Sequence, residues 1–133
     1  MEQPTQRDKD MKHILIVDDS NTMRQMVKIS LRTLKEYVTF EEAENGFSAL
    51  ERLALVHVDM MILDLNMPDM HGTEVLRLVR QHKTFHAIPI LVLTTRSDQV
   101  NHAAAMEAGA SFYLTKPFEP KVLARHVQEL LGI

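Results

Sequence analysis

Lys12-His13-Ile14-Leu15-Ile16-Val17-Asp18-Asp19 is a short apolar run that ends abruptly in two aspartates. Such a run suits a strand buried on both faces of a parallel sheet. Two more segments end the same way: Asp59-Met60-Met61-Ile62-Leu63 is followed by Asp64, and Ser111-Phe112-Tyr113-Leu114 leads into Lys116-Pro117. A parallel sheet gathers such ends along one edge. Carboxylates far apart in the chain then converge with an ammonium, giving a hard-cation site with a candidate nucleophilic carboxylate beside it.

The segments between these runs read as helices. Ser20 or Asn21 caps the first, and Met23, Met26, Val27, Leu31 and Leu34 recur at helical spacing. Tyr37–Ala43 is a strand, and Glu41-Glu42 mark it as a partly exposed edge. Asn45-Gly46 is a turn before a helix carrying Phe47, Leu50, Leu53 and Ala54. Met67-Pro68 and Gly72 bracket a loop, and a helix runs from Thr73 to about Gln81. Pro89 opens a strand over Ile88–Leu93. Ser97 or Asp98 caps a helix to Ala108, which Gly109 stops. Ala110–Leu114 is the fifth strand, and Pro120 starts a last helix to about Leu131. Alternating strands and helices predict right-handed crossovers and a doubly wound parallel α/β sheet with helices on both faces. In such sheets the ligand site lies beyond the carboxyl ends of the strands. Asp18, Asp19, Asp64, Thr94, Thr95 and Lys116 all fall there.

The 133 residues fit one domain, expected over 12–133, with 1–11 as a disordered polar lead-in. A net charge of -3 offers no basic footprint, so nucleic acid is not an expected partner. There is no cysteine, no signal-peptide core and no apolar stretch near ~20 residues. A cytoplasmic protein without a membrane span is the expectation.

Mg²⁺ takes oxygen ligands in an octahedron and keeps several waters. Asp19 and Asp64 can each supply one oxygen, and Asp18 can hold a metal-bound water. Three crowded carboxylates raise one another's pKa values unless a cation is present, and Mg²⁺ and Lys116 both oppose that rise. An ionised, desolvated carboxylate attacks phosphorus and forms an aspartyl phosphate. Lys116 then takes part of the phosphoryl charge, while Thr94 and Thr95 offer hydroxyl and backbone donors.

Ile16-Val17-Asp18-Asp19-Ser20, Glu44-Asn45-Gly46, Leu63-Asp64-Leu65-Asn66-Met67-Pro68 with Gly72, Leu93-Thr94-Thr95 and Lys116-Pro117-Phe118 together resemble the receiver domains of two-component response regulators. The resemblance runs from about Lys12 to the end of the chain. It implies a flavodoxin-like (CheY-like) five-stranded sheet in the order 2-1-3-4-5, with Asp64 accepting phosphate from a sensor histidine kinase. It implies Asp18, Asp19, Asp64 and the Asn66 carbonyl around Mg²⁺, and Lys116 on the phosphoryl group ahead of a cis Lys116–Pro117 bond. Thr94 becomes the switch hydroxyl and Tyr113 the switch aromatic. Asn66 and Arg96 should flank the phosphoryl group and tune its hydrolysis.

Asp19-Ser20-Asn21-Thr22-Met23-Arg24, Asn66-Met67-Pro68 and Tyr113 are similar to stand-alone chemotaxis regulators. The expectation is a stand-alone regulator without an output domain after Ile133, with the face of helix four, strand five and helix five as the output. The implied partner is a downstream protein such as a flagellar motor switch or another motility component, with a phosphatase to reset it. His71 and Arg96 depart from the common pattern, His71 standing where an acidic residue is frequent.

Bland readings compete with each of these. Asp18-Asp19 alone reads equally as a solvated acidic pair, Lys116 as a surface lysine, Tyr113 as a half-buried strand aromatic and Asn66 as a turn former. His82 and His86 lack a third ligand for a transition metal. The nine methionines read as core filler, with Met67 and Met70 available to touch a partner. Two rival functions within reach are a phosphorelay intermediate and a magnesium-dependent aspartate phosphatase. The phosphatase wants an acid/base two residues after the nucleophile, where this chain has Asn66. A nucleotide or flavin binder would need a glycine-rich loop after the first strand, where the chain is acidic.

Overall fold

The computed structural model describes residues 10–133, so residues 1–9 of the expected lead-in lie outside the described residues. The strands are β1 (Lys12–Val17), β2 (Val38–Ala43), β3 (Met60–Leu63), β4 (Ile90–Thr94) and β5 (Phe112–Thr115). The helices are α1 (Asn21–Ser30), α2 (Gly46–Leu55), α3 (Gly72–Gln81), α4 (Gln99–Ala108) and α5 (Pro120–Leu131). All strand pairings are parallel, and the order is β2-β1-β3-β4-β5. This is the flavodoxin-like arrangement the sequence predicts.

Side chains alternate across a strand, so each central strand feeds two cores. Leu15, Val17, Met61, Leu63, Ile90 and Val92 point to one face, where they pack with Ala49, Leu53, Val75, Leu76, Val79 and Ala105 of α2, α3 and α4. Ile14, Ile16, Met60, Ile62, Leu91 and Leu93 point to the other, against Val27 and Leu31 near α1 and Leu123 and Val127 of α5. Burial on both faces is why these runs read as continuously apolar.

Ser20, not Asn21, caps α1, its hydroxyl accepting from the Met23 N–H at 3.2 Å. That helix stops at Ser30 rather than Leu34, and Arg32–Leu34 form a 3₁₀ turn. Ser30 explains the break, because its hydroxyl donates to the Met26 carbonyl at 2.7 Å and competes with the helical ladder. Leu31 and Leu34 stay buried. Asn45 is a helix cap rather than a turn residue, accepting from the Ser48 N–H at 2.7 Å. Asp98 caps α4 through the Asn101 N–H, and Gly109 ends it at φ 116°, in the left-handed region that favours glycine. Strand β4 begins at Ile90, not Ile88, and β5 occupies 112–115 instead of 110–114. Met67 and Met70 are both buried in the core below α3, which removes them as partner contacts. Among the described residues no helix is long and apolar enough to cross a membrane.

Candidate functional site

Register carries the site. Val17 pairs with Leu63, and Leu63 with Val92, so β1, β3 and β4 come up level. The ladder then extends one residue past each strand. Asp64 N–H donates to the Val17 carbonyl at 2.9 Å, Asp18 N–H to Ala43 at 3.1 Å, and Lys116 N–H to Thr94 at 2.7 Å. Asp18, Asp64 and Lys116 are therefore held by their own backbones at the sheet edge. The Lys116–Pro117 bond is cis.

Oxygens of Asp18, Asp19 and Asp64 all lie within 4.8 Å of one another. Asp18 and Asp64 are 4% and 5% exposed, whereas Asp19 is exposed. Lys116 Nζ donates to Asp18 Oδ2 at 2.7 Å and stands 3.8 Å from Asp64 Oδ2. Asp18 Oδ1 accepts from the Ser20 N–H at 2.9 Å, and Asp64 Oδ1 from the Asn66 N–H at 3.2 Å. Burial pushes the Asp64 carboxyl above the ordinary carboxylate value, and the Asp18 and Asp19 charges add to it. Lys116 and the Asn66 N–H oppose that push without cancelling it. A set of hard oxygen donors, crowded and only partly neutralised, fits a divalent cation such as Mg²⁺.

Thr94 is fully buried at the end of β4, and its hydroxyl accepts from the Arg96 N–H at 3.4 Å. The Tyr113 hydroxyl donates to the Arg96 carbonyl. Tyr113 is half-buried, with its ring edge-on to His102 at 4.7 Å. Burial raises the Tyr113 phenol above its ordinary value. Arg96 Nε donates to Asn66 Oδ1, and Asn66 Nδ2 to the Thr95 hydroxyl at 3.2 Å. Each predicted site residue thus lies at this edge or one residue-to-residue contact away from it.

Several contacts escaped the sequence reading. Arg96 and Asn66 touch directly; Asn66 stands three residues after the end of β3 and Arg96 two after the end of the neighbouring β4. Asp69 lies 3.4 and 3.5 Å from the Gly46 and Phe47 N–H groups, tying the loop after β3 to the start of α2. Gly72 has a steric reason: a Cβ there would stand 2.6 Å from the Asp64 carbonyl oxygen and from Leu65 Cα. The His82 ring accepts from the Thr84 N–H at 3.0 Å, and His86, beyond the end of α3, has its Nδ1 3.1 Å from the Lys83 carbonyl.

The model of the response regulator receiver domain matches residues 14–128. The chain belongs to that family. It is 39% identical over 120 residues to chemotaxis protein CheY1 of Helicobacter pylori, covering 90% of this chain and 96% of that one. A solved putative response regulator from Chloroflexus aurantiacus superposes with a TM-score of 0.86 at 35% identity, over 92% of this chain and 99% of that one. Chemotaxis response regulator CheY4 of Vibrio cholerae superposes at 0.82 with 36% identity, over 91% and 99%. The chain is a receiver domain of the CheY-like kind. Phosphorylation and Mg²⁺ binding at an acidic pocket are general to receiver domains, which are signalling proteins rather than classical enzymes, and the Asp18, Asp19 and Asp64 cluster is that pocket here.

Proposed function

We propose that this chain is a cytoplasmic single-domain response regulator, with residues 12–133 as its working unit, in which Asp64 accepts a phosphoryl group from a sensor histidine kinase. One observation carries the reading: a buried carboxylate with a raised pKa stands 3.8 Å from a lysine ammonium and within 4.8 Å of two further carboxylates. Asp19, Asp64 and the Asn66 carbonyl would hold Mg²⁺. Asp18, both of whose oxygens are already engaged, would hold one of the ion's waters. Bound Mg²⁺ supplies neutralisation of phosphoryl oxygens.

In the transfer, an Asp64 carboxylate oxygen bonds to phosphorus as the phosphorus–nitrogen bond of the phosphohistidine breaks. The electron pair stays on the departing imidazole, which takes up a proton from solvent. Lys116 faces the incoming group and stabilises charge on it. Hydrolysis later returns the carboxylate and inorganic phosphate. Asn66 and Arg96 would restrict the attacking water, and their hydrogen bond to one another supports that reading.

The new group carries about -1.5 to -2 charge. Thr94 would turn its hydroxyl to it, giving up the contact with the Arg96 N–H. Because the Arg96 carbonyl also holds Tyr113, that movement would reach the face of α4, β5 and α5. Phosphate then shifts a pre-existing population rather than creating a new state. The downstream partner is a protein of chemotaxis or motility, with a flagellar motor switch the leading candidate and a phosphatase resetting the signal. Similarity to chemotaxis proteins across nearly the whole of both chains supports this choice.

Phosphotransfer from an autophosphorylated histidine kinase tests the reading. The chain should acquire one label that hydroxylamine removes, as expected of an acyl phosphate. A hydroxylamine-stable label, or continuous release of phosphate from small phosphate esters, would favour an ester-forming or phosphatase chemistry instead.

A further inference from the structure

Arg24 sits on α1 with its side chain only 12% exposed. Its guanidinium makes three contacts: Nη1 donates to the Asp18 carbonyl at 2.6 Å, Nε to Glu42 Oε1 at 2.9 Å, and Nη2 to Asn21 Oδ1 at 3.3 Å. Glu42, on edge strand β2, is fixed in turn by Lys28 at 2.7 Å and Gln25 at 3.3 Å. The Lys28 hydrogen bond, ahead of Arg24, holds the Glu42 carboxyl below its ordinary value despite the opposing push of burial. Glu42 is thus an ionised brace for Arg24.

The carbonyl that Arg24 grips belongs to the peptide joining Asp18 to Asp19. The Asp18 carboxylate is fixed separately, by Lys116 and the Ser20 N–H. The Asp19 carboxylate is exposed and has no hydrogen-bond partner among the described residues. No side-chain contact orients it, so the placement of the backbone from which it projects, set in part by that one peptide, is what the surrounding structure controls. We propose that Arg24, braced by Glu42, is a positioning residue for the divalent-cation site: it orients the Asp18–Asp19 peptide, aims the Asp19 carboxylate, and so sets the affinity for Mg²⁺. The proposal rests on the magnesium reading of the acidic cluster. Groups that hold a ligand in place affect metal affinity almost as strongly as the ligands themselves. Arginine suits the role because its rigid fork can serve a carbonyl and a carboxylate together, which a lysine ammonium cannot reproduce.

The test is calorimetric titration with Mg²⁺ alone on wild type, Arg24→Ala, Arg24→Lys, Glu42→Gln and the Arg24→Ala/Glu42→Gln pair, with thermal unfolding of each in the presence and absence of Mg²⁺. Arg24→Ala should bind Mg²⁺ about ten-fold more weakly, with Arg24→Lys failing to restore affinity. Glu42→Gln should weaken binding less, and the double variant should be no worse than Arg24→Ala, because both act through one guanidinium. The midpoint increase produced by Mg²⁺ should shrink in step, and labelling by a small phosphodonor should slow at low Mg²⁺ and recover at saturation. A mere tie between α1 and β2 would lower the midpoint equally with and without Mg²⁺ and leave the affinity unchanged; that result in both Arg24 variants overturns the proposal. Absence of Mg²⁺ binding in wild type would bring down the magnesium reading itself, and this proposal with it.

Discussion

Strand β3 carries an aspartate at each end, Asp59 before Met60 and Asp64 after Leu63, and their surroundings push them in opposite directions. Asp59 pays a burial penalty, but the His13 N–H at 2.8 Å and the His57 ring at 2.8 Å outweigh it, so its carboxyl lies below the ordinary value. Asp64 is more deeply buried, faces two other carboxylates, and has one lysine that it shares with Asp18. Its carboxyl lies above the ordinary value. The amino end of the strand is satisfied and serves the fold. The carboxyl end is left short of positive charge, which is the condition for taking a cation and then a phosphoryl group.

The largest effect that would sharpen this contrast comes from Lys116. Lys116→Ala should slow labelling by a small phosphodonor about 100-fold, as for loss of one charge-stabilising donor, followed by intact mass over time. An unchanged rate would mean that the ammonium nearest Asp64 does not face the reacting group.

Close packing also separates the two ends. Gly72→Ala would press a methyl group onto the Asp64 carbonyl and Leu65, and should cost about 2 kcal/mol in urea unfolding. A neutral result would show that the start of α3 can move away from Asp64 freely.

Asp59→Ala should cost about 1 kcal/mol at neutral pH by removing the hydrogen bonds to His13 and His57. Because the folded-state pKa of Asp59 is depressed, its contribution is present above the unfolded value of about 3.9 and is lost as pH falls through the folded value. Urea midpoints of wild type and variant should therefore converge in acid.

The opposite sign is expected at Asp64, with a smaller effect. A raised folded pKa means that the native state binds a proton more tightly than the unfolded chain, so ionised Asp64 costs stability at neutral pH. Without Mg²⁺, Asp64→Asn should raise the thermal midpoint near pH 7, and the gain should fade as pH drops through the raised pKa. If both substitutions shift stability in the same direction, the contrast between the two strand ends fails.

The reasons for these differences were unevenly legible in the sequence. Asp18 and Asp64 stood out because each follows a strand buried on both faces, where an apolar run must stop at a charge, whereas Lys116 follows the half-buried edge strand β5 and stood out through its pairing with Pro117. Leu31 and Leu34 misplaced the end of α1, since a spacing of three suits a 3₁₀ turn as well as an α-helix, and only the Ser30 hydroxyl marks the break. Asp69 looked like any loop acid until the start of α2 came to lie beside it. The Arg24 grip on Asp18 and the Arg96–Asn66 pair depend on side-chain reach across elements, which no period in the sequence encodes.

Everything proposed for this sheet edge turns on Asp64 being the phosphoryl acceptor. Wild type and Asp64→Asn should be treated with phosphoramidate in the presence and absence of Mg²⁺ and weighed intact. Wild type with Mg²⁺ should gain one phosphoryl mass, and neither wild type without Mg²⁺ nor the variant should gain any. Equal labelling of the variant, or an unlabelled wild type with Mg²⁺ under conditions where hydrolysis is not limiting, would contradict that role for Asp64.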